Sequence, residues 1–130
     1  MAKPTDDELA AAWHDLMGRY QRLTCTLDRE LGTAHGLSAS EFEVLQQLFL
    51  APDGRLKMAS LGERAHLTQS ALSRLVTRLE ADDLVARTSC RDDRRAVFAQ
   101  ITDAGRARYE EARPTQRRVL REGDCPAVLR

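Results

Sequence analysis

Ser70, Ser73, Arg74, Thr77 and Arg78 place small hydroxyls and long guanidinium groups at i, i+3, i+4, i+7 and i+8, with no acid among them. On a helix of 3.6 residues per turn these side chains fall on or beside one face. Such a face can approach a polyanion and hydrogen-bond to base edges in a groove. Gln69, Ser70, Ser73 and Arg74, nearest the helix start, are the candidates for reading bases. The Arg74 fork can donate to guanine O6 and N7 together. Thr77 and Arg78, further along, are the candidates for phosphate. The competing reading is an ordinary solvated helix face.

The elements that would position these groups are legible around them. Leu72, Leu75, Val76 and Leu79 form the apolar stripe opposite, which would seat the helix on a core. Thr68 is a plausible N-cap, His66-Leu67 a turn, and Met58, Leu61 and Ala65 mark a short helix before it. Leu84–Thr88 and Ala96–Ile101 read as short strands flanking a charged tip, Cys90-Arg91-Asp92-Asp93-Arg94-Arg95. Thr102 caps a last helix from about Asp103. Pro114 is expected to kink it, and Gly123-Asp124-Cys125-Pro126 to stop it.

Upstream, Thr5-x-x-Glu8 and Ser38-x-x-Glu41 are capping boxes. The first opens a long helix of about seven turns, with Leu9, Trp13, Leu16, Tyr20, Leu23, Leu27 and Leu31 along one stripe, ending near Gly32 to Gly36. A stripe so long and narrow suits packing against a neighbouring helix or a second subunit. The second box opens a helix that buries Phe42, Leu45, Leu48 and Phe49, and Pro52-Asp53-Gly54 ends it in a turn.

The chain of 130 residues has a formal net charge of zero, which alone would argue against nucleic acid. The charge is unevenly spread. Residues 1–54 carry four Lys/Arg against nine Asp/Glu, residues 55–95 nine against six, and residues 96–130 seven against five. The basic middle is where a local field could attract phosphates. No apolar run approaches the roughly 20 residues that span a bilayer, and the N-terminus lacks a signal-peptide core, so a cytoplasmic protein is expected. Cys25, Cys90 and Cys125 show no Cys-x-x-Cys spacing, and His14, His35 and His66 form no i, i+4 pair, so neither a metal site nor a cofactor is indicated. No Gly-x-Ser-x-Gly, phosphate loop or His-Glu-x-x-His occurs, which argues against an enzyme.

Helix–turn–helix followed by a two-stranded basic wing is the winged-helix plan, and the chain resembles the MarR family of bacterial transcription regulators. The residues that carry the likeness are Leu67-Thr68-Gln69-Ser70-Ala71-Leu72-Ser73-Arg74-Leu75-Val76-Thr77-Arg78-Leu79-Glu80, Leu84-Val85-x-Arg87, Asp93-Arg94-Arg95 and Ile101-Thr102-x-x-Gly105. The likeness extends from about Leu9 to Leu120. It implies a mainly α fold in one domain: residues 1–36 and 103–122 as dimerisation helices, 38–102 as the DNA-binding lobe with a short two-stranded β wing, and 123–130 as an irregular tail.

By the same resemblance the protein would be a homodimeric regulator on a pseudo-palindromic operator of double-stranded DNA. It would most often be a repressor, relieved by a small ligand or by oxidation. Arg95, with Arg94 as its rival, would enter the minor groove, and Asp93 would orient the arginine. The resemblance also implies Gly in the turn after the reading helix, where this chain has Asp83, a residue that tolerates left-handed backbone. Members that sense urate carry an acid where Thr68 stands, so no urate response is expected. Where members continue with a last amphipathic helix, this sequence reads Arg121-Glu-Gly-Asp-Cys-Pro-Ala-Val-Leu-Arg130. Either that helix is missing or the dimer is built from the first and fifth helices. The alternative function is a degenerate interaction module that pairs with a full-length relative.

Two further sites are open at this level. Trp13, Tyr20, Phe42, Phe49 and Tyr109 are candidates for a ligand cleft between the first, second and last helices, or else plain core. Cys90 lies beside Arg91, Arg94 and Arg95, a cationic setting that favours a reactive thiolate; otherwise it is a small residue at a strand end. Cys25 is expected in the core.

Overall fold

The structure, a computed structural model, describes residues 2–89 and 96–123. The elements are α1 (Asp6–His35), α2 (Ala39–Leu50), a 3-10 turn (Pro52–Gly54), β1 (Arg55–Lys57), α3 (Met58–Ala65), α4 (Gln69–Ala81), β2 (Val85–Ser89), β3 (Val97–Ile101) and α5 (Asp103–Glu122). Four of the five helices begin at a hydroxyl residue whose side chain accepts from a backbone N–H three residues on. Thr5 accepts from Glu8 N at 3.1 Å, Ser38 from Glu41 N at 3.0 Å, Thr68 from Ala71 N at 3.2 Å and Thr102 from Gly105 N at 3.0 Å. Each satisfies one of the donors a helix start leaves unpaired. At Thr5 and Ser38 the glutamate reaches back to complete the box. Only α3 lacks such a cap, because it issues directly from β1.

The sheet has three antiparallel strands in the order β1-β3-β2, not two. β2 pairs with β3 from Val85↔Ile101 to Ser89↔Val97, and β1 adds Arg55↔Gln100, Leu56↔Ala99 and Lys57↔Phe98. Arg55-Leu56-Lys57 is too short to show a period of two in sequence. It is a strand because β3 offers it a free edge. Its carry-over into α3 fixes where the helix–turn–helix sits on the sheet.

The core gathers Leu31, Leu37, Phe42, Leu45 and Leu48 from the N-terminal helices with Leu61, Leu72, Val76 and Leu79 from α3 and α4. Ala99, Ile101 and Tyr109 close it from the sheet and α5. Each element thus buries the stripe its periodicity marks. α1 is different along its length: Leu31 is buried and Leu27 half-buried, but Leu9, Trp13, Leu16, Met17 and Tyr20 are exposed. α5 continues through Pro114 as one helix. Pro114 and Glu110 are both exposed, so the carbonyl left without its donor lies on the side of the helix that meets water.

Two backbone positions explain how the sheet is fitted to the helices. Asp83 has φ of 58°, so the left-handed turn expected to need glycine is kept by aspartate. Thr102 Oγ1 donates to its carbonyl at 2.6 Å, and Leu84 N donates to Leu79 O at 2.9 Å, which holds the turn despite its strain. At Gly105 the first turn of α5 is pressed onto Leu84, just before β2, and onto the end of β3: a Cβ there would fall on the Leu84 carbonyl oxygen and 2.8 Å from Ile101 Cγ1. Gly105→Ala should therefore lose about 2 kcal/mol of stability, the cost of overpacking less the helix preference of alanine. Urea denaturation reads this as a lowered midpoint at unchanged slope. A midpoint at or above that of the unaltered protein would mean that α5 can shift without cost.

Candidate nucleic-acid interface

α4 is seated by Leu72, Val76 and Leu79, all fully buried, with Leu75 partly buried beside them. Gln69, Ser70, Ser73, Arg74, Thr77 and Arg78 are all exposed. The structure therefore brings these sequence-predicted side chains onto one accessible face. His66, at the end of α3, has φ of 58°, and its N–H donates to Glu63 O, turning the chain tightly into α4. Gln69 Nε2 donates to Met58 O at 3.3 Å, bracing the start of α4 against that of α3. Gly62 leaves room for this amide, since a Cβ at Gly62 would strike it.

The face differs in how far each group is already engaged. Among the described residues Arg74 has no hydrogen bond or ion pair. Arg78 lies 3.9 Å from Glu41 Oε1, but its side chain is 75% exposed, while the Glu41 carboxylate is occupied in the α2 capping box. An exposed pair at that distance holds a guanidinium weakly.

Ser73 and Thr77 are engaged by Arg87 of β2. Arg87 Nη2 donates to Ser73 O at 2.7 Å and to Ser73 Oγ at 3.1 Å, and Nη1 donates to Thr77 Oγ1 at 3.2 Å. Nη1 also stands 3.1 Å from Glu80 Oε1. Spacing along the chain gave Arg87 no role beyond its place in the family likeness. The only available signal was a Ser/Thr pair at i, i+4 with an arginine on the following strand.

Asp93, Arg94 and Arg95, the wing residues, lie outside the described residues, as do Cys90, Cys125 and the tail after Gly123. Cys25 is exposed, contrary to the core position expected of it. It lies beside Met17, Tyr20, Gln21 and Thr24 in a shallow depression that, among the described residues, α1 alone lines.

The five aromatic residues do not share one cleft. Trp13 and Tyr20 are exposed on α1, 62% and 71% respectively. Phe42 and Phe49 pack on Tyr109 with ring centroids 5.2 and 4.6 Å away. The buried Tyr109 hydroxyl donates to Gln46 Oε1 at 3.1 Å, which satisfies its polar end. A cavity of about 490 Å³ lies instead between α1, α2 and the α3–α4 turn, touched by Tyr20, Leu27, Phe42, Glu43, His66 and Gln116. Only Tyr20 and Phe42 of the five reach it. Helical spacing identifies which residues are aromatic and inward on one helix, but not which gap between helices stays unfilled.

Comparison with known proteins gives a consistent picture. The MarR family model matches residues 35–96. The HTH-type transcriptional repressor YetL of Bacillus subtilis (strain 168) is 34% identical over 79 residues, covering 61% of this chain and 47% of that protein. The chain thus spans about half the length of the curated relatives it matches. AbsC, a MarR family transcriptional regulator from Streptomyces coelicolor, is 30% identical with a TM-score of 0.80, covering 94% of this chain and 81% of that one. Sco3205, a MarR family regulator from the same organism in complex with DNA, is 29% identical with a TM-score of 0.85, covering 99% of this chain and 80% of that one.

Proposed function

The chain belongs to the MarR family of transcription regulators, a non-enzymatic family, and from that premise we propose that it reads a specific DNA sequence as a homodimer and represses transcription there. The observation that carries this reading is the exposed face of α4 from Gln69 to Arg78, which holds no acid and is seated on a fully buried leucine and valine stripe. A helix so anchored can enter a major groove about 12 Å wide and keep its side chains in register with base edges. Arg74, with Gln69, Ser70 and Ser73, reads bases, and Arg78 holds phosphate. Asp93, Arg94 and Arg95 form the minor-groove arm. The uncovered apolar side of α1 supports the dimer, since a second copy would bury it.

Relief by a small ligand is supported by the cavity, because Ala65, His66 and Leu67 of the turn before α4 form part of its wall. A molecule wedged there would displace the turn and tilt α4 out of register. Oxidation is the other route to relief, at Cys90. No helix among the described residues is long and apolar enough to cross a membrane.

The direct test is selection of duplexes from a random pool by the purified protein, followed by gel shift of the selected duplex against random competitor. Enrichment of a two-fold-related motif supports the proposal. Salt-sensitive binding without preference would leave the chain an interaction module that pairs with a full-length relative. Arg78→Ala should lower the slope of log affinity against log salt by about 1 per subunit, on selected and random duplexes alike. An unchanged slope with lost preference would make Arg78 a base contact instead.

A further inference from the structure

We propose that Arg87 is a positioning residue for DNA reading, which sets the Ser73 hydroxyl as a hydrogen-bond donor toward the groove and withdraws Thr77 from phosphate binding. The inference rests on the DNA-binding reading above.

Hydrogen counting carries it. The two terminal nitrogens of a guanidinium bear four N–H groups between them. Arg87 faces four acceptors: Ser73 O, Ser73 Oγ, Thr77 Oγ1 and Glu80 Oε1, at 2.7, 3.1, 3.2 and 3.1 Å. Its terminal donors are therefore committed within the protein, and Glu80 offsets its charge. Arg87 is poorly placed to serve as a phosphate contact itself.

Thr77 is committed too. Its hydroxyl donates its single hydrogen to Ser73 O at 2.9 Å and accepts from Arg87. Phosphate oxygens accept hydrogen bonds and cannot donate, so Thr77 has nothing to offer them while this arrangement holds. That revises the role expected of Thr77 from its place on the helix.

Ser73 is left in the opposite state. Its oxygen accepts from Arg87, its hydrogen has no acceptor among the described residues, and the residue is exposed. Donation from a guanidinium polarises the hydroxyl and strengthens its own donation. The outward O–H is thereby suited to the acceptors of the major groove: guanine O6 and N7, adenine N7 or thymine O4. Because Arg87 stands on β2, the same bonds tie the strand that leads to the wing to the helix that reads the bases.

The test uses a duplex selected by the unaltered protein and a random duplex, with Arg87→Ala, Arg87→Lys, Ser73→Ala and Ser73→Ala/Arg87→Ala. Arg87→Ala should lower the ratio of selected to random affinity about tenfold or more, with an unchanged salt slope on the random duplex. Arg87→Lys should behave likewise, since an ammonium keeps the charge but cannot bridge both hydroxyls. The double variant should lose little beyond Arg87→Ala alone, because Ser73 acts through that bond.

Rescue of both affinity and slope by Arg87→Lys would make Arg87 a phosphate contact and overturn the proposal. So would independent, multiplying losses in the double variant. Should Arg87→Ala fail to fold, as judged by circular dichroism, Arg87→Lys and Ser73→Ala/Arg87→Lys carry the same comparison. If the unaltered protein selects no duplex at all, the DNA-binding reading fails first and this proposal falls with it.

Discussion

Arg74→Ala should weaken binding to a selected duplex by roughly 30-fold or more while changing random-duplex affinity only several-fold. Arg74 stands on the exposed face of α4, one turn from the helix start, with no partner among the described residues. A free guanidinium there can meet a guanine edge with two parallel N–H donors. Such a contact is worth about 1–3 kcal/mol of discrimination. Two copies reading two half-sites double that to about 2–6 kcal/mol, and every 1.4 kcal/mol is tenfold. The substitution removes no buried atom, so thermal stability should hold. An equal loss on selected and random duplexes would place Arg74 on phosphate and leave base reading to its neighbours.

Trp13→Glu combined with Tyr20→Glu should convert the protein to a monomer and cost at least about 100-fold in affinity for a two-half-site duplex. These residues alternate with Leu9 and Leu16 on α1, and the four are 62, 71, 53 and 46% exposed. An amphipathic helix held out from its own core by this much apolar surface is stabilised by burial against another chain at about 25 cal/mol per Å². Carboxylates placed at the centre of that surface would have to be desolvated for the copies to meet.

Loss of the dimer then acts on DNA through effective concentration. A joined pair of reading heads gains about 10²–10⁴ over one head, provided the spacing lets both engage. Light scattering on a sizing column reads the mass, and gel shift reads the affinity. Far-ultraviolet circular dichroism per residue should stay nearly the same, since neither side chain packs into the core of its own chain. A variant that remains dimeric would remove α1 from the interface; a monomer with full affinity would show that one head suffices.

Most of the helical frame was legible because its signals are local. Thr5, Ser38, Thr68 and Thr102 were each identified as helix starts from residues within one turn, and each accepts the backbone hydrogen bond expected of it. The Leu72, Val76 and Leu79 stripe was legible for the same reason. Asp83 was legible as a left-handed turn through the family likeness, and its φ of 58° agrees.

What escaped the sequence depends on partners far away along it. β1 is three residues whose pairing lies at Phe98, Ala99 and Gln100. Cys25 was expected in the core because it sits mid-helix, yet burial depends on which side of α1 its neighbours pack: the end of α5 meets Leu23 and Thr26, while Cys25 between them stays exposed. The aromatic residues were grouped by type, while packing separates Phe42, Phe49 and Tyr109 from the outlying Trp13 and Tyr20.

By itself, then, the sequence determined the order of the helices, the face of α4 that is buried and the face that is exposed. All of these follow from periodicity and capping within a turn or two. Tertiary structure decided which groups on the exposed face are free. Arg74 is open, Ser73 and Thr77 are bound by Arg87 from the neighbouring strand, and Gln69 braces the helix start. A hydrogen bond is made by distance and direction in space, and neither is fixed by spacing along the chain once the partner lies on another element.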